Sequence, residues 1–396
     1  MTAGVFVTDA EQHAALAVVR SLGRAGYLVY AGSSRRRALA GSSRYCRKHV
    51  TLPDPLTQPA RFAAAVQRET QRRQIAVVLP ITDAAMLALL PIRQQLAPAI
   101  IPFPELDIYQ RVADKALVLE EARAVGFEVP EQMELARPGA LLELGSLRFP
   151  LVLKPHRSVV ATSDSARAVK LAVSQVADAA ALERCLDTLP PEAFPVLLQQ
   201  RIVGPGLGFF LLLWKQRRLA GFAHRRLLEK PPSGGVSVRC ESVAAEPGLL
   251  DRAERLLTRL GWQGVAMVEC KQDLATGRVY LMEVNGRFWG SLQLAIDSGV
   301  DFPTMLVRAA QGEPVASVAD YRIGVRMRRW WGEVDHLVTR LRRSDRSLGV
   351  PPDVPGRATV LARVLLAPLA GVRGEVLRWD DPLPFLRETL AWFRRA

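Results

Sequence analysis

Apolar positions along the first ninety residues come in short runs separated by amphipathic stretches. Val5-Phe6-Val7-Thr8 reads as a buried strand, residues 10–25 as a helix ended by Gly26, and residues 27–31 as a second strand. Residues 49–52 supply a third strand, 59–73 a helix and 75–80 a fourth strand. Asp83 is then placed to cap a helix over 84–90. Strands that alternate with helices imply βαβ units and a parallel sheet. The pattern predicts a Rossmann-like opening domain over residues 1–112. Gly23, Gly26 and Gly32 do not have the spacing of a dinucleotide-binding GxGxxG turn.

From Asp114 the period changes. Residues 114–125 read as a helix closed by Gly126, 151–154 as a strand stopped by Pro155, 169–173 as a strand and 176–189 as a helix. The runs 196–203, 208–214 and 219–228 read as antiparallel strands. A helix over 247–260 precedes the paired runs 264–270 and 278–284. The expected body is α+β, with a small lobe over 113–190 and a large lobe over 191–316. From Val318 the chain is amphipathic and rich in arginine, with a Pro/Gly break near 349–356, and reads as an extension over 317–396.

Composition narrows the function. The chain has 396 residues, 49% apolar, enough for several packed units and a large core. The apolar run 360–372 carries Arg363 and is too short to span a bilayer, and the opening run lacks the basic flank of a signal peptide. Cys46, Cys185, Cys240 and Cys270 form no CxxC pair, which argues against zinc and redox chemistry and for a cytoplasmic protein. The net charge of +14 comes from scattered arginines such as Arg35-Arg36-Arg37 and Arg342-Arg343. No nucleic-acid module accompanies them, so the expected partners are an anionic substrate or, weakly, an anionic membrane surface.

Residues 264–290 carry the most chemistry. A three-residue loop, Ala275-Thr276-Gly277, pairs Leu274 with Arg278 and, counting outward, Glu269 with Glu283. The two carboxylates then share a face with Cβ atoms about 5 Å apart. Like charges directly opposed destabilise a sheet, and a cation between them resolves the conflict. Asn285 adds an oxygen on the same face, and three such oxygens suit magnesium. Arg287 follows at the next alternate position. The competing expectation is an exposed face on which each carboxylate pairs with an arginine; a four-residue loop would also break the register.

Other candidates are less defined. Lys154 ends an apolar strand, where a charge needs a partner. The loop 229–237 contains Ser233-Gly234-Gly235, whose backbone N–H groups can turn toward an anion. Arg225 and Arg226 alternate ahead of it, so at least one should face the cleft and could hold a substrate carboxylate. Asp83 lies at the end of a strand where α/β sheets bind ligands, and is a candidate substrate residue as well as a cap.

Glu269 followed by Glu283-Val284-Asn285-Gly286-Arg287 resembles the E…E-x-N-x-R signature of ATP-grasp enzymes, many of which have proline at the position of Gly286. Lys115 resembles the lysine that opens the ATP-grasp region, and Lys154 in FPLVLKP resembles the second nucleotide lysine. Gln199-Gln200-Arg201-Ile202 resembles the adenine-reading hinge, and the 229–237 loop resembles the lid over the triphosphate. The acidic ribose-binding residue common after the hinge has no counterpart in Val203-Gly204-Pro205-Gly206-Leu207-Gly208.

The resemblance spans residues 114–312 and is nearest the carboxylate–amine ligase branch, including L-amino-acid ligases. It implies ATP-dependent formation of an acyl phosphate and its capture by an amine. Glu269, Glu283 and Asn285 would hold two magnesium ions (manganese substituting), and Arg287 would stabilise the oxyanion. It also implies a homodimer with small-molecule substrates. The rival expectations are a carboxylase or carbamoyl-phosphate-type enzyme and a non-catalytic ATP-binding module.

Overall fold

A computed structural model describes residues 4–137, 148–162, 167–366 and 370–394. The opening segment forms β1 (Gly4–Val7), α1 (His13–Arg24), β2 (Leu28–Ser33), β3 (Lys48–Thr51), α2 (Pro59–Arg72), β4 (Ile75–Leu79) and α3 (Asp83–Leu89). Its sheet is wholly parallel in the order β3-β2-β1-β4, as strand–helix alternation predicts. Every residue of β1 is buried. α3 is capped by Thr82, whose hydroxyl accepts from the Ala85 N–H, and not by Asp83. The Asp83 carboxylate is thereby free to act elsewhere.

Helices α4 (Leu106–Ala113) and α5 (Lys115–Ala124) lead into the small lobe. The Asp114 side chain caps α5 by accepting from Ala116 and Leu117, which fixes Lys115 as the first helical residue. Strands β5 (Gln132–Leu135), β6 (Leu151–Pro155), β7 (Val159–Ala161), β8 (Ala168–Lys170) and β9 (Ser174–Val176) follow, with α6 (Ala179–Asp187) and β10 (Val196–Gln200). The small sheet runs β5-β10-β6-β9, while β7 and β8 form a separate two-stranded flap. Val196–Gln200, expected in the large lobe, is thus an inner strand of the small sheet.

The large lobe is a seven-stranded sheet. It contains β11 (Gly206–Trp214), β12 (Arg217–Lys230), β13 (Val236–Ser242), β14 (Gly264–Gln272) and β15 (Val279–Asn285), with α7 (Pro247–Arg259), α8 (Leu292–Ser298) and α9 (Phe302–Ala310) packed around it. Its order is β15-β14-β11-β12-β13, continued by two short strands of the tail, β16 (Arg326–Arg328) and β17 (Arg373–Gly374). The tail also forms α10 (Trp330–Arg342), α11 (Asp345–Leu348), α12 (Arg357–Leu366) and α13 (Leu383–Phe393).

The tail is therefore no appendage. It completes the large sheet and returns to the opening domain, where Arg20 of α1 meets Asp381 at 2.8 Å with both side chains almost wholly buried. Trp331 stacks on Trp392 at 4.2 Å, so the tryptophan pair of the tail serves packing. None of the described helices is long and apolar enough to cross a membrane. All four cysteines are free thiols.

Candidate nucleotide and metal site

The β14–β15 hairpin places Glu269 opposite Glu283, as counted from the sequence, and Met267 opposite Asn285. The route to that register differs from the expected one. Gln272 pairs with Val279, and the Gly277 N–H closes on the Asp273 carbonyl, so the loop is one residue longer than expected. A bulge that leaves Met282 unpaired between Leu281 and Glu283 then restores the register. Gly277 takes φ +70°, as that turn requires. Gly286 follows from crowding: a Cβ there would lie 2.4 Å from the Trp262 ring, so no side chain fits.

Basic groups already meet both carboxylates. Arg226 Nη2 lies 2.8 Å from Glu269 Oε2, and Lys115 Nζ lies 3.5 Å from Glu283 Oε2. The charge conflict thus has a resolution without a metal ion, close to the competing expectation, except that the pairs are partly buried and one partner is a lysine. Burial pushes the Glu283 carboxyl up, but Lys115 and Lys154 outweigh it and hold it below the usual range. Burial opposes the charged form of Arg226 too, yet Glu269 and Glu229 hold its guanidinium firmly protonated.

The donor set fits magnesium, which takes one or two carboxylates and completes its shell with water and phosphate oxygens. Among the described residues no group of three His, Cys, Asp or Glu side chains is placed to hold a metal unaided. Two carboxylates and the Asn285 amide oxygen could supply part of such a shell, which phosphates would finish. The Asn285 amide donates to Glu283 Oε1 at 3.1 Å, and its oxygen accepts from Arg287 Nη2 at 3.2 Å.

Arg287 also donates from Nε to Asp83 Oδ2 at 2.9 Å and from Nη1 to the Phe288 carbonyl. Three of its five N–H donors are thus used, leaving two for a ligand. Tyr109 donates to the other Asp83 oxygen at 2.7 Å. Burial raises the Asp83 carboxyl, but Arg287 and Tyr109 bring it below the usual range.

Asp83, Arg226, Glu269, Glu283, Asn285 and Arg287 line a cleft of about 750 Å³ between the lobes and the opening domain; Lys115 and Tyr109 do not line it. Lys154 reaches it from β6 with only 7% of its surface exposed, and burial lowers its ammonium to about 8 against the pull of Glu283. Lys271, two residues beyond Glu269 on β14, reaches it from the other lobe. Neither ammonium makes a hydrogen bond or ion pair among the described residues. Lys271 was legible as the next position on the carboxylate face of β14, and no motif singled it out.

The remaining candidates divide. Arg226 faces the cleft, whereas Arg225 lies exposed opposite Glu241 and does not line it. Ser233, Gly234 and Gly235 line the cleft. The lid's base is tied to the tail: Lys230 pairs with Asp335, and the Glu229 carbonyl meets His336 Nδ1 at 2.6 Å. Of the hinge residues, Arg201 and Ile202 line the cleft; Gln199 is buried on Gln132, and the Gln200 N–H is taken by the Glu131 carbonyl. Arg201 also donates to the Gly349 carbonyl at 2.8 Å, which brings the tail to the hinge.

Residues 217–332, from β12 through the metal hairpin to the start of α10, match a sequence family described as ATP-grasp in the biosynthetic pathway with Ter operon. No curated protein sequence matches the chain significantly. Several solved structures share its fold. The L-amino acid ligase from Bacillus licheniformis aligns with a TM-score of 0.61 at 17% identity, over 80% of this chain and 75% of that one. N5-carboxyaminoimidazole synthetase from Staphylococcus aureus, complexed with ADP, aligns at 0.60 and 11% identity, over 82% and 80%. The biotin carboxylase domain of Hydrogenobacter thermophilus 2-oxoglutarate carboxylase, complexed with MgADP, ADP and bicarbonate, aligns at 0.62 and 14% identity, over 82% and 73%. Residues 217–332 thus resemble an ATP-grasp family, and over about four-fifths of its length the chain shares the fold of these solved structures.

Proposed function

We propose that the chain is an ATP- and magnesium-dependent ligase that activates a carboxylate as an acyl phosphate and joins it to an amine. One observation carries this reading: two opposed carboxylates and an amide oxygen share a single cleft with two lysines that have no side-chain partner among the described residues, Lys154 from the small lobe and Lys271 beside Glu269. A polyphosphate with its metal supplies the negative charge that Lys154 and Lys271 lack and the positive charge that Glu269 and Glu283 share.

Bound magnesium would screen the γ-phosphate from the attacking carboxylate. Arg226 must then release Glu269, and it retains Glu229 at 3.0 Å as its partner. Arg287 holds the Asn285 amide in place and offers its two remaining N–H groups to the oxyanion. In this reading two metal ions act together, and manganese can replace magnesium. The likeness to an L-amino acid ligase supports amino acids as substrates. The protein works in the cytoplasm as a homodimer, with weak contact between its arginine-rich tail and anionic membranes. An exposed stripe on α13, comprising Leu383, Leu386, Leu390 and Phe393, gives either contact an apolar footing.

The test is phosphate release from ATP with amino acids offered singly and in pairs, and with bicarbonate. Release that requires a carboxylate and an amine together supports the ligase. Release that requires bicarbonate makes the chain a carboxylase, and nucleotide binding with no turnover on any substrate makes it a non-catalytic module.

A further inference from the structure

A second cavity, of about 460 Å³, opens beside Glu283. It shares Pro55, Asp83, Ala84, Val159, Glu283 and Asn285 with the main cleft, so the two spaces adjoin along a wall that includes two of the proposed metal ligands. Its floor is apolar: Pro55, Pro59, Leu87, Ala88 and Leu106 come from the opening domain and the linker helices. The β7–β8 flap roofs it through Val159, Val160 and Ala168, and the Ala168 N–H is tied to the Leu56 carbonyl at 2.6 Å. Lys115 and Arg157 also line it. A mostly apolar space with a few convergent polar groups is the usual form of a small-molecule subsite.

We propose that this second cavity is the acceptor subsite and that it takes a primary amine bearing an apolar side chain. The assignment rests on the ligase reading and names one of its substrates. The main cleft holds the surplus lysines and so takes the nucleotide and the activated carboxylate. The acceptor must reach the same carbon from a different side, and the shared wall at Glu283 and Asn285 is where two ligands in these spaces come together. Asp83, held ionised by Arg287 and Tyr109, offers its carboxylate to the incoming ammonium.

The ammonium first gives one proton to solvent water, and the neutral nitrogen then uses its lone pair to form a C–N bond to the acyl carbon. The C–O bond to the phosphoryl group breaks, phosphate leaves with that electron pair, and the amine's surplus proton passes to the departing phosphate. The apolar floor receives the side chain. Leu87 and Leu106 are only partly buried, so their replacement changes the cavity without emptying the core.

The experiment compares the wild type with Leu87→Trp, which fills the floor, and Leu106→Ala, which enlarges it. Each full-length protein receives ATP, magnesium and a pool of the twenty amino acids as carboxylates. Hydroxylamine, glycine or phenylalanine is added in excess as the acceptor, and products are read by mass spectrometry. The expected result is unchanged hydroxamate formation in both variants, because hydroxylamine needs no floor. The ratio of phenylalanine-derived to glycine-derived product falls about tenfold in Leu87→Trp and rises several-fold in Leu106→Ala.

Hydroxamate formation with unaltered ratios in both variants would overturn the subsite. So would a parallel fall in hydroxamate, which would give the cavity to the carboxylate or the nucleotide. A wild type that uses glycine and no apolar amine would overturn it as well. Absence of hydroxamate from the wild type is a different failure, that of the ligase reading itself.

Discussion

The large sheet carries two clusters of opposed charge, built from the same residue types to different ends. Under the tail, Glu333 is wholly buried between Arg239 at 3.0 Å and Arg328 at 2.6 Å. Those guanidiniums also donate to the Arg363 and Val364 carbonyls, and Arg328 lies over the Trp330 ring. At the cleft, Glu269 and Glu283 have one ion-paired cation each, and Lys154 and Lys271 line the same space with no ion-paired or hydrogen-bonded partner among the described residues. Burial outweighs the arginines at Glu333 and raises its carboxyl, whereas at Glu283 the lysines outweigh burial and lower it. The first cluster is closed on itself. The second has charges of both signs left to offer a ligand, and that surplus is what separates a site from a structural ion network.

Breaking each cluster should therefore give opposite signatures. Glu333→Ala leaves two buried guanidiniums unpaired and is expected to cost about 3–5 kcal/mol of folding stability in a urea titration. A loss below about 1 kcal/mol would mean that the tail tolerates the charges and that the contrast is false. Glu283→Gln is expected to lower kcat by about a thousandfold, with a melting temperature within a few degrees of the wild type. Activity preserved at limiting magnesium would remove Glu283 from the metal set.

Arg287→Lys sharpens the comparison from within the cleft. Lysine supplies one point charge where the guanidinium spans Asp83, Asn285 and a ligand, so kcat should fall about a hundredfold with ATP affinity little changed. Loss of ATP affinity at preserved kcat would make Arg287 a ground-state phosphate clamp.

The smallest effect concerns Lys154. With its ammonium lowered to about 8, it is charged below that pH and largely neutral above it. A bound polyphosphate raises it again, so ATP binding at pH 9 should take up part of a proton and binding at pH 7 almost none. Calorimetry in two buffers of different ionisation enthalpy reads the difference, and Lys154→Met should abolish it.

Local signals were legible in the sequence, and long-range ones were not. Lys154 could be singled out because it ends an apolar strand, and Lys115 because its segment resembles a family motif; both signals lie within a few residues of chain. The Glu269–Glu283 pairing could be counted from the loop, although the count succeeded through two deviations that cancel, a longer loop and a bulge at Met282. The Arg226–Glu269 and Arg287–Asp83 pairs join residues 43 and 204 positions apart, where periodicity carries no information. The inner position of β10 and the return of the tail are matters of topology, which depends on how hydrophobic faces find one another across the whole chain.

That return has a consequence for synthesis. Arg20 lies in the first helix, yet the carboxylate that neutralises it is made 361 residues later. At about 5–20 residues per second, the nascent chain spends roughly 20–70 s with that guanidinium still claimed by water, and α1 has reason to stay off the body of the protein until then. The opening domain would then be finished only after the tail has been made. Chains stalled short of Asp381 should be cut within α1 under pulse proteolysis that spares the completed protein, giving the cell a means of telling whole copies from broken ones.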